Sequence, residues 1–164
     1  MAETIRASGK HFAQSHHRYR TDTDQGESFL QVLVVDDYRP FRQFVASMLR
    51  KIREVQIVGE AADGLEAVSQ AEELRPDLVL MDVGLPGVNG IEAARRIRQL
   101  DPECQIVFLS LESSPDVITE ALELGAVSYI VKENVGTELL PVVEAVILDK
   151  LLVRKNVRKA EIRY

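Results

Sequence analysis

The 164-residue sequence predicts an α/β fold, a doubly wound parallel sheet of five strands with helices on both faces. Two observations lead there. Five short runs dense in Val, Ile and Leu alternate along the chain with five segments whose apolar residues recur at helical spacing. Composition agrees, since 46% hydrophobic and 28% charged residues describe a chain with a buried core. Strands and helices in strict alternation, joined by right-handed crossovers, give a parallel sheet covered on both sides.

Each element has its own signal. Residues 31–35 (QVLVV) form a nearly continuous apolar run, as a strand buried on both faces requires. A helix is predicted over 39–52, carrying Phe41, Phe44, Val45, Met48 and Leu49 on one side. Residues 55–59 read as the second strand, and 64–74 as a helix with Leu65, Val68 and Ala71 on one face. The third strand, 77–81 (DLVLM), is entered through Pro76. A helix over 91–100 and a strand over 105–109 (QIVFL) follow. The fourth helix, 114–124, starts with Ser-Pro, where Pro115 suits the first helical position, and stops at Gly125. Residues 128–131 (SYIV) are the fifth strand, and a last helix runs from about 137 past 148 with Pro141 near its start.

Charge divides the chain into three parts. Residues 1–28 are polar, aperiodic and net neutral, and are expected to be a flexible N-terminal extension without the apolar stretch of a secretory leader. Residues 29–149, the folded domain, carry ten basic and twenty-one acidic residues, too acidic a body to bind nucleic acid. Residues 150–164 carry six basic residues and one acidic, a basic tail whose spacing allows it to extend the last helix. No apolar run approaches the roughly 18–20 residues of a membrane helix. Cys104 is the only cysteine, and His11, His16 and His17 are the only histidines. A disulfide, a thiolate zinc site or a Ser-His-Asp triad in the folded part is therefore not expected.

In a doubly wound sheet, ligands bind at the carboxyl ends of the strands, near the point where strand order reverses. The first strand ends in Asp36-Asp37, the third in Asp82, the fourth in Ser110 and the fifth in Lys132. Two unit charges about 4 Å apart interact by about 4 kcal/mol at an effective dielectric near 20, so three adjacent carboxylates need a cation. An all-oxygen donor set suits Mg²⁺, which keeps waters and takes phosphate oxygens. With the Ser110 hydroxyl and the Lys132 ammonium beside it, such a site is a phosphoryl clamp, and one aspartate is free to attack phosphorus. Asp82 is the best candidate, standing on the central third strand before the loop VGLPGVNG.

These motifs, VLVVDD at 32–37, LVLMDVGLPGVNG at 78–90, IVFLS at 106–110 and ALELGAVSYIVKE at 121–133, resemble the receiver domain of two-component response regulators across residues 31–148. The stretch after the fourth strand looks closest to regulators with a LuxR-type helix-turn-helix output. The resemblance implies the flavodoxin-like strand order 2-1-3-4-5. It implies a phosphoprotein, carrying 4-aspartylphosphate at Asp82, whose phosphoryl group comes from a sensor histidine kinase or phosphotransfer protein. Mg²⁺ would be held by Asp37, Asp82 and the Gly84 carbonyl, with Asp36 acting through water. Ser110 and Tyr129 would form the switch, altering the surface of the fourth helix, fifth strand and fifth helix. A cytoplasmic signalling protein in transcription regulation, capable of homodimerising on phosphorylation and not itself an enzyme, follows from the same likeness.

Three positions depart from the family pattern. Ser110 stands where Thr is common and keeps the hydroxyl; Glu133 replaces a frequent Asp; Leu111 replaces a small residue and bears on how fast the phosphoryl group is gained and lost. The competing reading is a Mg²⁺-dependent phosphohydrolase on a related fold, which would need a substrate cap longer than any insertion here. A flavin module is disfavoured because Asp36-Asp37 repels phosphate where such a module cradles it. About fifteen residues follow the last helix, too few for a helix-turn-helix, so no sequence-specific DNA binding is expected of these residues alone. The chain either acts through partner proteins or is a receiver cut from a longer transcription factor.

Overall fold

Strands apolar at both odd and even positions must be covered on both faces, and helices supply the cover here. The computed structural model describes residues 29–161; the N-terminal extension expected over 1–28 lies outside the described residues. The elements are β1 Leu30–Val35, α1 Arg39–Leu49, β2 Val55–Ala61, α2 Gly64–Leu74, β3 Leu78–Met81, α3 Gly90–Leu100, β4 Gln105–Ser110, α4 Pro115–Glu123, β5 Ser128–Val131 and α5 Val135–Glu161. A single 3₁₀ turn, Lys132–Asn134, joins β5 to α5. All strand pairs are parallel, in the order β2-β1-β3-β4-β5.

The period-two alternation of a strand divides the core into two layers. Leu33, Val35, Val79, Met81, Ile106 and Phe108 meet the small residues Ala67, Ala71, Ala93, Ala94 and Ala121 of α2, α3 and α4. Their neighbours Val32, Val34, Leu78, Leu80, Val107 and Leu109 point the other way, onto Val45, Met48 and Leu49 of α1 and Leu139, Val143 and Val146 of α5. The chain leaves β1 toward β2 on one side and returns to β3 on the other. The reversal therefore lies between β1 and β3, and opens a crevice at their carboxyl ends.

Three element boundaries lie two residues or more from the sequence reading. The first helix stops at Leu49 rather than 52; the following residues turn, with the Ile52 N–H donating to the Leu49 carbonyl and Val55 N–H to that of Ile52. β2 runs on through Glu60 and Ala61, because pairing with Val34 and Val35 holds the backbone extended whatever the side chain. The last helix begins at Val135, so Pro141 lies inside it and not near its start. A proline there leaves the carbonyl of Thr137 without its helical partner. Thr137 and Pro141 are both exposed, so water can satisfy that carbonyl. The fourth helix ends as its glycine suggests: Gly125 has φ +91°, its N–H donates to the Leu122 carbonyl, and Ala126 N–H reaches Ala121.

Beyond the sheet, α5 continues through the basic segment to Glu161. Lys150 anchors it to the amino-terminal edge of the strands by pairing with the Asp77 carboxylate and donating to the Phe29 carbonyl at 3.0 Å. The Gln105 amide donates to Asp149 at 3.0 Å beside it. Among the described residues no helix is long and apolar enough to cross a membrane.

Candidate functional site: an acidic rim with one lysine

Parallel pairing aligns the strand ends. Val35 lies opposite Met81, so the next residue of each chain segment, Asp36 and Asp82, emerges at the same level. Backbone bonds fix both: Asp82 N–H donates to the Val35 carbonyl at 2.9 Å, and Asp36 N–H to the Ala61 carbonyl at 3.1 Å. Asp36 is 2% exposed and Asp82 5%, while Asp37 faces solvent. The three carboxylates offer oxygens that all lie within 4.8 Å of one another.

Lys132, at the end of β5, reaches across β4 into this group. Its Nζ lies 2.6 Å from Asp36 Oδ2 and 3.4 Å from Asp82 Oδ2. The ammonium also sits 4.4 Å from the centroid of the Phe41 ring on α1, a cation–π contact that covers it on one side. Asp36 Oδ1 accepts from the Tyr38 N–H at 2.8 Å, and Asp82 Oδ1 from the Gly84 N–H at 3.2 Å. Burial pushes the Asp82 carboxyl above its ordinary range; Lys132 opposes that shift and Asp36 adds to it. One ammonium does not neutralise three carboxylates. The donor set is all oxygen and short of positive charge, so the cluster of Asp36, Asp37 and Asp82 could hold a hard divalent cation.

Ser110 closes β4 and is buried, its Oγ accepting the Glu112 N–H at 3.0 Å beside the Tyr129 hydroxyl. Tyr129 lies against Phe108, ring centroids 6.1 Å apart, and its hydroxyl donates to the Glu112 carbonyl at 2.7 Å. Burial raises the Tyr129 phenol, partly offset by the Ser110 hydroxyl beside it. The β4–α4 loop is thus held from both sides, by Ser110 at its amide and by Tyr129 at its carbonyl. Leu111, the residue after Ser110, is 76% exposed. Cys104 is buried at the start of β4 with its thiol pushed up to about 12, a packing residue without reactivity.

Sequence reasoning passed over three supports of this rim. Arg42 donates from a guanidinium nitrogen to the Asp36 carbonyl at 2.7 Å and pairs with Glu60 at 3.2 Å. A signal was available: the first turn of α1 carries Arg39 and Arg42 and no acid, against the helix macrodipole. Phe41 was legible as a core residue but also covers the Lys132 ammonium. Gly90 has the most specific role, because a Cβ there would lie 1.8 Å from the Asp82 carbonyl oxygen. Only glycine lets α3 start against the strand that carries Asp82, and Asn89 caps that helix by accepting the Glu92 N–H at 2.9 Å.

The sequence matches the response regulator receiver domain over residues 32–144. The chain belongs to that family. The receiver is 34% identical to the transcriptional regulatory protein DegU of Brevibacillus brevis over 120 residues, 73% of this chain and 51% of that protein. It is 40% identical to protein CcdB of Bacillus subtilis over 116 residues, 71% of this chain and 96% of CcdB. Among solved structures, a LuxR-family response regulator from Aurantimonas is 34% identical with TM-score 0.70, covering 74% of this chain and 87% of that one. The response regulator domain of Thermotoga maritima CheB is 34% identical with TM-score 0.65, covering 72% and 96%. The chain spans about half the length of the first curated relatives it matches. These likenesses support the receiver of a two-component system, close to the LuxR-type regulators, over the phosphohydrolase alternative.

Proposed function

We propose that this receiver accepts a phosphoryl group on Asp82 and transmits it as a change of surface. The observation that carries the reading is the convergence of three carboxylates, two of them paired with the half-buried Lys132, with the Ser110 hydroxyl at the neighbouring strand end. In the transfer step an Asp82 carboxylate oxygen forms a bond to phosphorus as the donor's N–P bond breaks. The imidazole nitrogen of the kinase or phosphotransfer protein leaves with the electron pair and takes up a proton. Asp37, Asp82 and the Gly84 carbonyl would hold Mg²⁺, with Asp36 acting through water. That ion supplies charge neutralisation at the phosphoryl oxygens.

Lys132 neutralises the same oxygens and Ser110 donates a hydrogen bond to one of them. Moving toward the phosphoryl group, Ser110 gives up its bond to the Glu112 amide, and the loop held by Tyr129 shifts with it. The surface of α4, β5 and α5 is the readout. In this reading the protein is a switch in the cytoplasm and not an enzyme turning over a substrate. The output is transcription regulation, through partner proteins or a DNA-binding part elsewhere in the protein. The test is incubation with acetyl phosphate and Mg²⁺. Intact mass should rise by one phosphoryl group, labile to hydroxylamine, and the Asp82→Asn protein should gain none. Labelling of that variant at wild-type yield contradicts the assignment.

A further inference from the structure

The Lys132 ammonium has three neighbours, and only two of them are carboxylates. Its Nζ lies 2.6 Å from Asp36 Oδ2, 3.4 Å from Asp82 Oδ2 and 4.4 Å from the centroid of the Phe41 ring. Phe41 stands in the first turn of α1, where its N–H donates to the Tyr38 carbonyl at 3.0 Å. Arg42, the next residue, donates from its guanidinium to the Asp36 carbonyl at 2.7 Å. The turn that carries the ring is thus tied to the segment that carries Asp36. On its other side the ring packs against Phe44, centroids 6.2 Å apart and planes tilted by 43°. Phe44 is itself 46% exposed, so the two rings lead from the surface of α1 to the ammonium.

A lysine carries its charge on a flexible four-carbon stem, with three N–H donors at the end. Here the carboxylates of Asp36 and Asp82 accept from it, and the longer contact is the one to Asp82. A third carboxylate in place of the ring would draw the ammonium off Asp82 and compete with a phosphoryl oxygen for it. An aromatic face attracts a cation through its quadrupole, without formal charge and with little demand on donor direction. Over such a face the ammonium can pass from Asp82 to a phosphoryl oxygen without losing its third contact. A leucine at position 41 would fill much of the same space and supply no such attraction.

We propose that Phe41 is a positioning residue for phosphoryl transfer: its ring holds the Lys132 ammonium over the acidic rim and lets it shift from Asp82 to the incoming phosphoryl oxygens. This role rests on Asp82 being the phosphoacceptor. Without the ring the lysine stem spreads over more of its rotamers, the ammonium meets the transferring group less often, and transfer slows.

The rate at which acetyl phosphate and Mg²⁺ label the full chain, followed by intact mass, tests this role. Mono- and trifluorinated phenylalanine at position 41 keep the shape of the ring and weaken its negative face in steps. Labelling should slow in the same steps, to about one-fifth of wild type with the trifluorinated ring and by about as much in Phe41→Leu. In the Lys132→Ala background the same replacements should change the rate by less than about twofold, because their effect runs through the ammonium. In EDTA and without a phosphodonor, the ring current should place the Lys132 ε-methylene protons of wild type upfield of those in Phe41→Leu. Circular dichroism melts check the fold, and the fluorinated proteins decide the question if Phe41→Leu melts early. Wild type that takes no label overturns the reading of Asp82 and this role with it. Wild type that labels, at a rate indifferent to fluorination or slowed equally in the Lys132→Ala background, overturns the role of Phe41 alone, as do ε-methylene protons that coincide in the two proteins.

Discussion

Replacing Asp82 by Asn removes a charge from the most crowded position in the molecule. In the native protein the Asp82 carboxylate lies 3.4 Å from the Lys132 ammonium and within 4.8 Å of oxygens on both Asp36 and Asp37. At an effective dielectric near 20 the lysine attraction is about 5 kcal/mol and each repulsion about 3.5 kcal/mol, that from exposed Asp37 being further screened. Repulsion and burial together outweigh the lysine, in line with the raised Asp82 carboxyl. Asp82→Asn should therefore stabilise the divalent-free protein at pH 7 by about 1–2 kcal/mol, seen as a Tm higher by roughly 3–8 °C for a domain of this size. The sign follows from linkage. A group whose folded pKa is raised destabilises the fold once ionised, so the penalty is absent below the unfolded value of 3.8 and grows as pH rises through the folded one. Melts by circular dichroism in EDTA and low salt, at pH 7 and near pH 3.5, read both effects. The variant's advantage should shrink at the lower pH, and saturating Mg²⁺ should raise wild type more than the variant. A variant that melts at or below wild type in EDTA at pH 7 would refute the electrostatic reasoning.

Three other perturbations follow from single contacts. Lys132→Ala should keep the fold and bind Mg²⁺ at least as tightly, since a local positive charge is gone. Its phosphorylated form should leave the α4–β5–α5 amide resonances unshifted, and a wild-type shift would contradict the coupling role. Gly90→Ala drives a Cβ into the Asp82 carbonyl, so it should cost about 2–3 kcal/mol in a denaturant melt and slow acetyl phosphate labelling; unchanged stability would contradict the close approach. Leu111→Ala should leave stability within about 0.5 kcal/mol, because the side chain is exposed. It should also shorten the lifetime of the phosphoryl group by opening the approach of water, and an equal or longer half-life would contradict that.

The strands were legible because burial on both faces writes a continuous apolar run; their order came from the receiver likeness, carried by the acidic pair, the lone aspartate, the serine and the lysine after β1, β3, β4 and β5. What could not be read is how neighbouring segments meet. Glu60 in β2 is polar and is held extended only by its pairing with Val34. Pro141 suggested a helix start, yet its exposed position lets α5 run through it. Arg42 and Phe41 became parts of the rim only once α1 packed over β1 and β2 and Lys132 reached across the strand ends toward them. The Glu112 carbonyl, which holds the Tyr129 hydroxyl, is a backbone atom and has no signature in side-chain pattern.

We assign the phosphoryl group to Asp82. Borohydride reduction of protein treated with acetyl phosphate and Mg²⁺, followed by peptide mapping, marks the aspartate that carried the acyl phosphate. The reduced residue should fall at position 82 alone, with no mark when Mg²⁺ is replaced by EDTA. Reduction at Asp36 or Asp37 in wild-type protein, or equal marking of Asp82 in EDTA, would contradict it.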